Sequence, residues 1–212
     1  MQNPASGNLS KHTNPNALHQ WLLQRFHERV GDLVGDALLP AGAPVQATGI
    51  LDVGCGEGFV LRHLVRRFPT LAPRGIDARA QALTWARRQG PHTASWVLGD
   101  AAQLPFADRS FPVVLCLEVL EHLDRPWSAL EELRRVCSGS LIVSVPNQPF
   151  FAAANLLRGK NLSTAGEDPD HRSHWRGATF LRELRRRLVV ERVTYSFPWV
   201  IATARTGRGD DA

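Results

Sequence analysis

Residues 51–61 read LDVGCGEGFVL. A short apolar run holding a single acid, Asp52, leads into Gly54, Gly56 and Gly58, and then into an apolar periodic run that begins at Phe59. The pattern predicts a strand, a tight glycine turn and the start of a helix. Glycines at such a turn let the backbone bend through conformations closed to other residues and bring a ligand near main-chain N–H groups. A dinucleotide fingerprint has the same outline. Two features point elsewhere. Asp52, before the first glycine, is a poor neighbour for a pyrophosphate and a good one for a cation, and the loop holds no basic residue.

Outward from this turn, strand and helix patterns alternate. GILDV (49–53), PRGID (73–77), ASWVLGD (94–100), FPVVLCL (111–117) and GSLIVSVP (139–146) read as strands. The fourth is nearly all apolar, as a central parallel strand buried on both faces should be. GFVLRHLVRRF (58–68), RAQALTWARRQG (79–90) and DRPWSALEELRRVC (124–137) between them read as amphipathic helices. Short connections between alternating elements predict a mostly parallel sheet covered on both faces. A further helix, ATFLRELRRRL (178–188), precedes VVERVTYSF (189–197) and WVIATAR (199–205), two closing strands that read as an antiparallel hairpin at the sheet edge. The expected fold is therefore α/β, a Rossmann-like sheet of seven strands.

The flanks differ. Residues 1–13 read as a flexible arm. Asn14-Pro15 then starts a helix over 17–39, with Leu18, Trp21, Leu22, Phe26, Val30, Leu33 and Val34 at helical spacing, and Pro40–Pro44 breaks it. The expected organisation is an arm and capping helix to residue 44, a domain over 45–206 and a tail over 207–212. Within the domain, residues 146–177 form a polar, turn-rich insertion after the fifth strand. It would lie over the strand C-termini, where open α/β sheets bind ligands, so it reads as a lid.

Bulk properties fit one α/β domain. The chain has 212 residues, 43% hydrophobic and 21% charged, a net charge of +5 and a pI near 9.8. Nearly all the basic residues are Arg, with Lys only at 11 and 160, and no basic block interleaves with aromatics as a single-strand binder needs. Nucleic acid is therefore not the favoured partner. No apolar run spans a bilayer, and the polar first residues carry no export signal, so the cytoplasm is the expected location. Cys55, Cys116 and Cys137 have no metal spacing and read as buried, reduced thiols.

Over Ile50–Val145 the chain resembles the class I S-adenosylmethionine-dependent methyltransferases, in the broad small-molecule group called type 11. ILDVGCGEG (50–58) is similar to the family's first motif, and GDAAQLPFADRSFPVVLCLEVLEHL (99–123) to those that follow. Pro112 departs from the family pattern, which has Asp there. The resemblance implies S-adenosylmethionine as methyl donor, with S-adenosylhomocysteine as product, and in-line transfer to a small-molecule acceptor. It implies a cofactor site of Asp52, Gly54, Gly56 and Gly58, Asp77 with Ala78 at the second strand end, Asp100 with Ala101 beside the adenine, and Leu117. A carboxylate such as Asp77 accepts both hydroxyls of a ribose diol well.

In-line transfer needs alignment, and a hydroxyl acceptor also needs a base. Glu118 and His122, where the fourth strand ends, are one candidate source. His171 and His174, three apart in the lid, are the other. Glu118, Glu121 and His122 also resemble the acid-acid-histidine set that holds a divalent cation in ubiquinone-pathway O-methyltransferases and small-RNA 2′-O-methyltransferases. Mg²⁺ there would polarise a substrate oxygen, but the same letters serve metal-free relatives, and the metal-free reading is preferred. Trp21, Phe26 and His27 on the N-terminal helix, and Phe150, Phe151 and Trp175 in the lid, are candidates either for substrate contact or for core. A methyltransferase fold serving only as a binding partner is the remaining alternative.

Overall fold

A computed structural model describes residues 7–38, 49–157, 172, 173 and 175–205. Two helices lead, α1 (Gly7–Thr13) and α2 (Ala17–Leu38). Then follow β1 (Ile50–Val53), α3 (Phe59–Arg67), β2 (Arg74–Asp77), α4 (Ala80–Gln89), β3 (Ser95–Leu98) and β4 (Phe111–Leu117). A 3₁₀ turn (Leu120–His122), α5 (Pro126–Val136), β5 (Cys137–Pro146), α6 (Phe150–Leu157), α7 (Gly177–Arg185), β6 (Val189–Ser196) and β7 (Trp199–Arg205) complete the order.

The seven strands form one sheet, β3-β2-β1-β4-β5-β7-β6. All pairings are parallel except those of β7, which runs antiparallel to β5 and β6. From β1 the chain winds outward through β2 to β3, then returns to place β4 on the other side of β1. The β1/β4 boundary is thus the switch point at which open α/β sheets form a crevice.

Period-two alternation divides the sheet residues between two cores. Leu51, Val53, Val114, Cys116, Leu141 and Val143 pack with α5 and α7 on one face. Ile50, Val113, Leu115, Leu117 and Ile142 pack with α2 and α3 on the other. Asp52, two residues after Ile50, shares the α2/α3 face by the same alternation. An acid in a strand buried at every position has no packing reason to be there.

Where the sequence reads as an arm, Gly7–Thr13 is helical. Its docking is polar. His19 Nε2 contacts the Lys11 carbonyl at 2.7 Å, and Gln20 Nε2 donates to the carbonyls of His12 and Asn14. All three cysteines are free and buried. Among the described residues, no helix is long and apolar enough to cross a membrane.

Candidate active site

The glycine turn is built by backbone geometry. Gly54, Gly56 and Gly58 have φ of 75°, 55° and 76°, the left-handed region where a side chain is strained. A Cβ on Gly54 would lie 2.3 Å from Val119 Cγ2, and one on Gly58 would lie 2.4 Å from Trp96 Cη2. The turn's amides are directed inward. Those of Gly54 and Cys55 donate to the Ile76 carbonyl at 2.8 and 3.1 Å, that of Gly58 to Cys55, and that of Gly56 to Asp77 Oδ2 at 2.7 Å. A phosphate cradle needs such N–H groups to face a ligand. Here they tie β1 to β2 and fix the Asp77 carboxylate. Gly56 and Gly58, expected at the cofactor, are not among the cavity-lining residues. They shape the turn, because one amide holds Asp77 and the other glycine makes room for Trp96.

The cavity beside the turn has a volume of about 510 Å³ at the C-terminal ends of β1, β2 and β4. Asp52, Gly54, Asp77, Ala78, Asp100, Ala101, Leu117, Glu118 and His122 line it, so most of the sequence-predicted set converges there. Asp52 is 2% exposed, and its Oδ2 has no hydrogen-bond partner. Burial, reinforced by the neighbouring charge of Asp77, raises its pKa to about 7. A buried acceptor with no donor is costly in the free protein, and a ligand ammonium would supply both a donor and a counter-charge. Asp77 is more fully engaged. Besides the Gly56 amide it accepts from the Arg79 amide at 2.8 Å and from Arg79 Nε at 3.2 Å. Two carboxylate oxygens have about four lone-pair sites, which leaves capacity for a diol.

The loop carrying Asp100 and Ala101 is anchored from α5. Arg135 donates to the carbonyls of Leu104 and Phe106 and to Asp108, while Glu132 accepts from the Leu104 amide. Asp100 itself closes a local turn by accepting from the Ala102 amide at 2.9 Å.

Glu118 has φ of 59°, unusual for a side-chain-bearing residue, and bends the chain as β4 ends. Its Oε1 accepts from Ser144 Oγ at 3.1 Å and its Oε2 from the Trp199 indole. Burial raises its pKa to about 7, offset in part by the charge of Lys11 and by those two hydrogen bonds. The acid-acid-histidine set does not come together as three ligands. The 3₁₀ turn rotates successive side chains by about 120°, and Glu121, 1% exposed, is not among the residues lining the cavity that Glu118 and His122 face. Among the described residues, no group of three His, Cys, Asp or Glu is placed to hold a metal. His171 and His174 lie outside the described residues.

The aromatic candidates are elsewhere. Trp21 is 52% exposed on a second groove with Tyr195 and Phe197. Phe26 is buried against Trp199, and His27 is grouped with His12 and His63, its pKa lowered to about 3 chiefly by burial. Phe151 is buried, Phe150 is exposed and tilted against Phe197, and Trp175 stacks on Trp127 and Phe180. None of these six lines the cavity. What the sequence reading missed is α1, whose Lys11 and His12 do line it, together with Cys55, Phe59, Arg79 and Arg172. Burial, then the charges of Asp52 and Asp77, holds the Cys55 thiol protonated.

Comparison with known proteins gives a consistent picture. A family profile described as Methyltransferase domain matches residues 51–143. The chain is 35% identical over 94 residues to the biotin biosynthesis bifunctional protein BioHC of Cellvibrio japonicus, covering 44% of this chain and 18% of that one. It is 34% identical over 122 residues to the fatty-acid O-methyltransferase of Mycolicibacterium smegmatis, covering 56% of this chain and 40% of that one. The chain thus spans less than half the length of either relative. Among solved structures, magnesium protoporphyrin IX methyltransferase from Synechocystis, with bound S-adenosylhomocysteine, superposes with a TM-score of 0.65 at 17% identity, covering 89% of this chain and 87% of that one. At that identity the likeness is one of fold.

Proposed function

We propose that this chain, whose residues 51–143 match a methyltransferase-domain profile, transfers a methyl group from S-adenosylmethionine to a small-molecule acceptor. The observation that carries the reading is the pair of acids on the neighbouring strands β1 and β2. Asp52 lines the cavity and holds a buried oxygen without a hydrogen-bond partner, and Asp77, near enough for its charge to act on Asp52, lines the same cavity and is held by a turn amide. One fits an ammonium and the other a diol, the two polar ends of an amino-acid nucleoside. The inward-turned amides of Gly54, Cys55 and Gly56 argue against a dinucleotide. Asp100, Ala101 and Leu117 complete the wall.

Bound there, S-adenosylmethionine supplies an electrophilic methyl group on a sulfonium. Among the described residues, the candidates that remain to act are Glu118 and His122. Glu118 ionises near pH 7, which suits a group that accepts a proton from an acceptor hydroxyl or amine. Ser144 and Trp199 fix its orientation, and each of its oxygens keeps a second lone pair. The relative named as a fatty-acid O-methyltransferase supports a small oxygen acceptor. The test is transfer of radiolabelled methyl from S-adenosylmethionine to a panel of carboxylic acids, phenols and amines. Labelled product from one class supports the reading. Label transferred only to RNA or protein would overturn it.

A further inference from the structure

We propose that Arg172 binds a carboxylate carried by the methyl acceptor, apart from the atom that takes the methyl group, and so selects anionic acceptors. The inference rests on the methyltransferase reading above and names a substrate class for the β4 end of the same cavity. Arg172 is held in place through its backbone. Its amide and that of Ser173 donate to the Glu121 carbonyl at 2.8 and 3.1 Å, just beyond the end of β4. The Trp175 carbonyl accepts from the Gln148 amide at 3.1 Å, the Trp175 ring stacks on Trp127 of α5, and Asn147 Oδ1 accepts from the Gly177 amide at 2.8 Å. These bonds clamp the two ends of the insertion after β5 together, and Arg172 lines the cavity with Glu118 and His122.

The cavity has two sides. In the sheet, β2 and β3 lie to one side of β1 and β4 lies to the other. Arg79 and Asp100 follow β2 and β3, on the side given above to the donor nucleoside, while Glu118 and His122 follow β4. Each side has one arginine. Arg79 is bonded to the buried Asp77. Arg172 donates through one nitrogen to Asp124 Oδ1 at 2.6 Å, and both of those side chains are exposed. An exposed pair of this kind contributes little, so the guanidinium is open to exchange, and its other N–H groups have no partner among the described residues. The planar fork of a guanidinium matches the two oxygens of a carboxylate, and Asp124 is a carboxylate already on it. A carboxylate held by both oxygens leaves the methyl group to a hydroxyl or amine elsewhere on the acceptor, the kind of group that Glu118 suits as base.

Calorimetry on the full chain saturated with S-adenosylhomocysteine tests this with aromatic and aliphatic hydroxy and amino carboxylic acids, each paired with its own neutral amide. At least one acid is expected to bind about ten- to a hundred-fold more tightly than its amide, the worth of one charge-assisted contact. Arg172→Met should abolish that preference and leave S-adenosylhomocysteine affinity unchanged, and Arg172→Lys, which keeps the charge without the fork, should restore part of it. The preferred acid should also accept radiolabelled methyl in a base-stable product. A wild type that prefers no acid to its amide, a preference that survives in Arg172→Met, or a base-labile methyl ester as product would overturn the proposal. Weakened S-adenosylhomocysteine in Arg172→Met would overturn it by giving the guanidinium to the donor's own carboxylate. Equal weakening of acid and amide would overturn it by showing that Arg172 only supports the cavity. Wild-type protein that binds no S-adenosylhomocysteine would defeat the methyltransferase reading, and the proposal with it.

Discussion

Replacing Asp52 with Asn removes a buried charge without removing volume, and its effect on stability should depend on pH. In the folded protein Asp52 is fully buried, one oxygen lacks a donor, and Asp77 adds repulsion. Its pKa is therefore raised from an ordinary 3.8 to about 7. Well below pH 3.8 the carboxyl is protonated in both folded and unfolded chains and costs nothing as a charge. As pH rises the unfolded chain ionises first, and the folded state loses relative stability until its own group ionises near pH 7. At about 1.4 kcal/mol per pH unit, that interval amounts to a penalty on the order of 4 kcal/mol. The buried Asn amide has its own cost of about 1–3 kcal/mol, but that cost does not change with pH. Urea unfolding of both proteins at pH 5 and pH 8, followed by far-UV circular dichroism, isolates the difference. Asp52→Asn should gain on wild type by about 2–3 kcal/mol between the two conditions, since the part of the penalty below pH 5 is already present at the first, while losing affinity for S-adenosylhomocysteine. A stability difference that is flat with pH, or that favours wild type more at pH 8, would refute the reasoning.

Three further outcomes follow from the same geometry. Asp77→Asn should weaken S-adenosylhomocysteine about ten- to a hundred-fold by calorimetry, since a charged acceptor for the diol is lost. Gly54→Ala should lower stability by at least about 1–2 kcal/mol in chemical denaturation from the left-handed backbone alone, with the Val119 contact adding to it, and it should reduce ligand affinity. With a hydroxyl or amine acceptor, turnover should rise with pH through about 7 as Glu118 ionises. Glu118→Gln should lose that ionisation and about 10²-fold or more of kcat.

Much of the site is legible because it is local in sequence. Gly54 to Gly58 follow a strand directly, Asp77 ends the next strand, and Leu117 and Glu118 end the fourth, so the order of elements alone places them at one crevice. Helix α1 was not legible because seven residues with little apolar content leave no periodic signal. Its docking depends on His12 against Phe59 and on side chain to backbone bonds from α2. The place of Glu121 away from the cavity was not legible for a related reason. Residues adjacent in sequence separate across a 3₁₀ turn, and letters that suit a shared ligand set end on different sides of the chain. Trp21 and Phe26 have suitable periodicity, but periodicity reports a helix face without saying which neighbour it meets, and here the face meets the sheet core and a separate groove.

The most direct measurement is titration of the wild-type protein with S-adenosylhomocysteine by calorimetry at pH 6 and pH 8, each in two buffers of different ionisation enthalpy. Single-site binding with a dissociation constant in about the micromolar range is expected. At pH 6 it should be accompanied by release of a proton as Asp52 ionises against the ligand ammonium, and at pH 8 by little release. Absence of binding at about millimolar ligand, a concentration at the weak end of ordinary enzyme–substrate affinity, would contradict the donor site.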